Sequence, residues 1–180
     1  YQSYLKNNPP VTIKNENVKS YGELDIANYL TQNRVAYEYE KEYPIDTRTS
    51  EYKQYHPNFY LPKYNLYIKY FGINRQGMVP SFFTGKNGKS ASQTYQEGIK
   101  WKRELHKKNG TRMIEVYAYE KFEEVLLSNL EEHLKAADVV LMPMSAQEMW
   151  AETAGTENQK LDRVAELFGT VITLVKSDNY

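Results

Sequence analysis

Residues His56 to Gly72 read HPNFYLPKYNLYIKYFG, and the folding of this stretch decides the rest of the chain. Two runs rich in Tyr, Phe, Ile and Leu flank Pro62-Lys63-Tyr64-Asn65, a pattern that predicts a β-hairpin with a tight connection. With Lys63 and Tyr64 as the loop, Asn58 faces Lys69 across the strands, Phe59 faces Ile68, Tyr60 faces Tyr67 and Leu61 faces Leu66. Successive side chains point to opposite faces of a strand. Phe59, Leu61, Leu66 and Ile68 therefore form an apolar face, and Asn58, Tyr60, Tyr67 and Lys69 form a polar one available for chemistry.

The chain around this hairpin has 180 residues, enough for one domain with a substantial core, and 41% hydrophobic with 26% charged residues is ordinary globular composition. It has no cysteine, which excludes disulfides and thiolate metal sites. His56, His106 and His133 lack ligand spacing, so a zinc site is not expected. The sequence contains neither a long apolar run nor a secretory leader pattern, so no membrane partner and a cytoplasmic location are expected. Tyr1 in place of an initial Met suggests a piece of a longer protein. The seventeen tyrosines are read mainly as half-buried sheet residues, with a stacking surface for bases as the alternative.

Residues 1–19 read as a connector, interrupted by Pro9-Pro10 and Asn15-Glu16-Asn17. Ser20 and Glu23 then make a capping box for a helix from Tyr21 to Asn33. Val35 to Tyr43 alternates as a strand with one polar face, and Pro44 to Gln54 is a polar loop before the hairpin. After Gly72 comes a Gly- and Pro-punctuated loop; its Gly85-Lys86-Asn87-Gly88-Lys89-Ser90 imitates a phosphate-binding loop but lacks the leading strand and first glycine, so no ATP site is expected in it. Ser92 to Asn109 is helical, Arg112 to Tyr119 a fourth strand, Phe122 to Ala136 an amphipathic helix, and Val139 to Met142 a short buried strand. Beyond Pro143, Ser145 caps a short helix, Ala154-Gly155-Thr156 marks a turn, and an apolar stripe runs from Val164 to Val175. The expected fold is α/β, a mixed sheet flanked by helices in the order helix, three strands, helix, strand, helix, strand, with extra C-terminal helices.

Formal net charge is zero, yet Lys86, Lys89, Lys100, Lys102, Arg103, Lys107, Lys108 and Arg112 fall in one stretch with only Glu97 and Glu104 among them. Acidic pairs follow at Glu123-Glu124 and Glu131-Glu132. Such a division predicts a basic surface suited to phosphates and an acidic back, although two ordinary solvated helix faces would give the same pattern.

Four stretches, VKSYGE, HPNFYLP with YIKYFG, IKWKRELH and GTRMIEVY, resemble the PD-(D/E)XK nuclease-like domain of UvrD/Rep-type DNA helicases related to helicase IV. That resemblance implies a restriction-endonuclease-like core over residues 20–143 and a helical segment, 144–180, returning to a larger helicase. The family pattern P-D-F-Y-L and I-Y-I-E-x-F-G aligns without gaps onto Pro57 to Leu61 and Leu66 to Gly72. Its two metal-binding carboxylates fall on Asn58 and Lys69. The resemblance also brings Glu23 near the metal site and makes Lys102 the candidate for the lysine beside the scissile phosphate, although a helix carrying Lys102, Arg103, His106 and Lys107 could equally be only a DNA-facing surface; Glu115 is expected to border the cleft. On the charge pattern, Lys86, Lys89, Lys100, Arg103, Lys107, Lys108 and Arg112 are the expected DNA-facing residues.

The expected function is therefore an accessory nuclease-like domain of a superfamily 1 helicase, catalytically degenerate and acting in DNA binding or guidance. Its partners would be DNA and the remainder of the helicase polypeptide, with ATP used only in that remainder. The Lys69 ammonium would repel a unit positive charge 4 Å away by about 4 kcal/mol at an effective dielectric of 20, and a divalent cation more strongly. The alternative is an active Mg²⁺-dependent DNA nuclease that takes its metal ligands from Glu23, Glu40 and Glu115.

Overall fold

The computed structural model of the chain describes residues 2–153. In chain order it contains α1 (Gln2–Asn7), α2 (Tyr21–Gln32), β1 (Glu38–Tyr39), β2 (Phe59–Leu61), β3 (Leu66–Phe71), α3 (Ala91–Lys108), β4 (Arg112–Tyr117), α4 (Ala118–Phe122), α5 (Leu126–Ala136) and α6 (Ala146–Thr153). The four strands form one mixed sheet in the order β1-β2-β3-β4. The first three run antiparallel to their neighbours, and β3 pairs with β4 in parallel through the α3 crossover. The fold is thus α/β, with helices flanking a mixed sheet.

The hairpin register follows the sequence alternation: Phe59 pairs with Ile68, Tyr60 with Tyr67 and Leu61 with Leu66. The turn is longer than expected. Pro62–Tyr64 form a single 3₁₀ turn, and Asn65 closes it at φ 44°, a left-handed conformation that asparagine tolerates. Phe59, Leu61, Leu66 and Ile68 are all fully buried, in one core with Ile26 and Leu30 of α2 and Leu130 and Leu134 of α5. Each such side chain contributes roughly 1.5–3 kcal/mol on leaving water.

The other hairpin face is not open to solvent as the alternation implied. Tyr67 is buried in a second cluster with Tyr43 and Tyr55, and Trp101 and Leu105 of α3 pack over it. His106 completes this layer, its Nδ1 2.7 Å from the Thr111 hydroxyl and its Nε2 3.3 Å from the Tyr55 hydroxyl. Burial in these aromatic surroundings pushes the imidazole down to about 4. This part of the face is a core.

Several boundaries differ from the sequence reading. The strand expected from Val35 to Tyr43 shortens to Glu38–Tyr39, because Glu40 turns into the left-handed region at φ 48°. The single helix expected from Phe122 to Ala136 is split: Glu124 adopts φ 60°, and Phe122 is left 86% exposed. Tyr119 falls in α4 rather than at the end of a strand. The expected strand from Val139 to Met142 does not form; instead the Met142 and Met144 amides donate to Asn33 and Gln32 at the end of α2. The Val139 amide donates to Leu134 at the end of α5 and the Val140 amide to the Tyr64 hydroxyl, so no sheet edge is used. Residues 2–19, expected as a connector, include α1, a bridge between Val11 and Asn17, and a buried Val18.

Ser145 caps α6 as expected, accepting from the Glu148 amide. The turn at Ala154-Gly155-Thr156 and the apolar stripe from Val164 to Val175 lie outside the described residues. No helix among the described residues is long and apolar enough to cross a membrane.

Candidate functional site

The hairpin carries Asn58 and Lys69 to the rim of a pocket of about 660 Å³, together with Glu23 from the first turn of α2. Ser20 positions that turn, its hydroxyl accepting the Glu23 amide at 3.2 Å. The Glu23 carboxylate does more than complete a cap. One oxygen accepts from Asn58 Nδ2 at 3.1 Å, and the other from the Lys19 amide at 3.1 Å and the Tyr39 hydroxyl. Asn58 is only 3% exposed and satisfied on both sides, since its Oδ1 accepts the Tyr70 amide at 2.8 Å. Its orientation is fixed by both bonds, with the amide NH₂ toward the acid.

Lys69 lines the same pocket, and no hydrogen bond or ion pair engages its ammonium among the described residues. Burial lowers its pKa; the charges of Glu23 and Glu40 oppose the shift, and Lys19 adds to it. The other pocket cations are matched: Lys19 pairs with Glu40 at 2.5 Å, and Lys121 pairs with Asp25. Gly22 lets Tyr70 lie flat on α2, where an added Cβ would come within 2.2 Å of the ring.

Lys102 and Glu115 do not join the pocket lining. Lys102 donates to the Gly98 carbonyl at 3.2 Å, and burial, then the charge of Lys69, push its ammonium down to about 8. Glu115 stands beside Lys69 in the β3–β4 register, but Arg103 clasps both its oxygens at 2.7 Å and the Tyr117 hydroxyl donates to it as well. Burial acts to raise the Glu115 carboxyl, and the Arg103 and Tyr117 hydrogen bonds outweigh that and hold it below the usual carboxylate range.

The basic stretch divides in two. Arg103 is tied to Glu115, Lys89 pairs with Glu97 at 2.6 Å, and Arg112 holds the Tyr64 carbonyl at 2.7 Å. Lys86, Lys100, Lys107 and Lys108 are exposed and make no ion pair among the described residues. These four keep their charge available to an outside anion.

The sequence reading missed the aromatic side of the pocket. Phe82 and Phe83, in the Gly- and Pro-punctuated loop after Gly72, line it together with Tyr95 and Phe122. Two adjacent phenylalanines in a Gly- and Pro-rich segment were the available signal. No family model matches the chain, and no curated protein or solved structure matches it.

Proposed function

We propose that this chain is a nuclease-like accessory domain of a superfamily 1 DNA helicase, with a restriction-endonuclease-like core whose metal site has degenerated and which now binds or guides DNA. The observation that carries the reading is the Glu23, Asn58 and Lys69 constellation at the hairpin, where a two-carboxylate metal site would need anions. This donor set does not fit a divalent cation. The Asn58 oxygen is already accepting the Tyr70 amide, its NH₂ is directed at Glu23, and the Lys69 ammonium adds a positive charge. The parallel β3–β4 pair joined by α3, beside an antiparallel hairpin, supports the restriction-endonuclease-like assignment.

Lys86, Lys100, Lys107 and Lys108, on the β3–α3 loop and α3, supply the phosphate-binding charge in this reading. The parent would be a cytoplasmic helicase with its ATP chemistry elsewhere in the polypeptide. The alternative nuclease needs Glu23, Glu40 and Glu115 to share one Mg²⁺. Glu40 is paired with Lys19 and Glu115 is clasped by Arg103, so two of the three would first have to release a cation.

The test is to assay the protein on single- and double-stranded DNA with Mg²⁺ or Mn²⁺, reading both binding and cleavage. Binding that weakens steeply with salt, without cleavage, supports the proposal. Divalent-dependent cleavage that Glu23→Ala or Glu115→Ala abolishes would replace it with the alternative.

A further inference from the structure

The aromatic side of the 660 Å³ pocket plays no part in a degenerate metal site. Phe82 and Phe83 meet with ring centroids 4.9 Å apart, and Tyr95 braces Phe83 edge-on at 5.6 Å. Tyr95 is itself anchored, its hydroxyl accepting the Gly72 amide at 2.8 Å. This makes a supported wall of π-faces, yet Phe82 is 46% exposed. Lys69, which has no ion pair among the described residues, lines the same cavity.

A pocket of this size, with Lys69 as the one lining cation outside an ion pair among the described residues and a braced aromatic wall, complements a ligand that is anionic at one end and flat at the other. We infer that it holds one unpaired nucleotide of a DNA strand, the phosphate toward Lys69 and the base against Phe82 and Phe83. The inference rests on the DNA-binding reading and names the form of DNA the pocket takes. Bases inside a duplex have their faces covered by neighbours and cannot reach such a wall. The Glu23 carboxylate near Lys69 favours a singly charged phosphodiester over the doubly charged monoester of a free nucleotide. Lys86, on the same loop as the two phenylalanines, is available for the adjoining strand backbone.

The test compares binding of a labelled oligothymidylate and a blunt hairpin duplex by fluorescence anisotropy, with thymidine monophosphate as competitor. Phe82→Ala, a substitution at a half-exposed loop residue, should weaken oligothymidylate binding at least fivefold. Phe82→Ala with Phe83→Ala should weaken it further, and duplex binding should stay within about twofold for both. Lys69→Met should lower the salt slope for the oligothymidylate by about one. Equal losses on both DNA forms, no loss on either, or competition by the mononucleotide at the oligothymidylate's own affinity would overturn the inference while leaving DNA binding intact. If the unmodified protein binds neither DNA, the DNA-binding reading fails and takes this inference with it.

Discussion

Placing carboxylates at both hairpin positions, Asn58→Asp with Lys69→Glu, probes the geometry most informatively, because its first effect should be harmful. Asn58 Nδ2 now donates to Glu23 Oε1 at 3.1 Å. A carboxylate at that separation from Glu23 would repel it by about 5 kcal/mol at an effective dielectric of 20. Relaxation and proton uptake would leave a cost of roughly 3 kcal/mol. At about 2–4 °C per kcal/mol for a chain of this length, melting in chelator should fall by roughly 6–12 °C. A carboxyl crowded by another has a folded pKa raised above its unfolded value. Its destabilisation should therefore grow as pH rises and shrink as pH falls toward the carboxylate range. Mn²⁺ should then raise the melting temperature of the double variant, because a cation bound only by the folded state stabilises it; at one hundred times Kd the gain is about 2.7 kcal/mol. Thermal melts across pH, with and without Mn²⁺, read every part of this. An unchanged melting temperature in chelator, or an equal Mn²⁺ response from the unmodified protein, would refute the reasoning.

His106 is 3% exposed and holds its proton only below about 4, so between pH 6.5 and about 4 the unfolded chain takes up a proton that the folded one does not. Stability should fall with pH across that window by about 3 kcal/mol, and urea titrations of His106→Gln should show a flatter profile. Gly22→Ala should destabilise by about 1–3 kcal/mol through the clash with Tyr70, and adding Tyr70→Leu should recover much of that in the same melts. Lys107→Ala with Lys108→Ala should reduce the salt slope of DNA binding by about two without changing stability. Arg112→Ala should instead cost about 1–2 kcal/mol of stability, because that guanidinium holds the Tyr64 carbonyl.

What the sequence made legible was local. Alternation in the hairpin placed Phe59, Leu61, Leu66 and Ile68 together because strand periodicity needs only neighbouring residues, and Ser20 announced α2 for the same reason. What it obscured depended on distant chain. Tyr67 was read as facing outward, but the Tyr43–Tyr55 segment and α3 cover it. Spacing alone makes Glu23 a capping acid; the family resemblance, not the periodicity, puts it near Asn58, 35 positions away. Arg103 looked like a DNA contact until β4 supplied Glu115 as its partner. The run from Val139 to Met142 is apolar enough for a strand, but the end of α2 supplies acceptors for the Met142 and Met144 amides.

The proposed function has DNA bound at the Glu23, Asn58 and Lys69 pocket without being cleaved. The most direct measurement is an amide chemical-shift titration of the ¹⁵N-labelled protein with oligothymidylate in Mg²⁺, followed by a denaturing gel of the same sample. The account predicts salt-sensitive shifts concentrated at Gly22, Tyr70, Gly72 and the Phe82–Phe83 loop, with the DNA still at full length. Shortened DNA, or shifts that leave these pocket amides untouched, would contradict it.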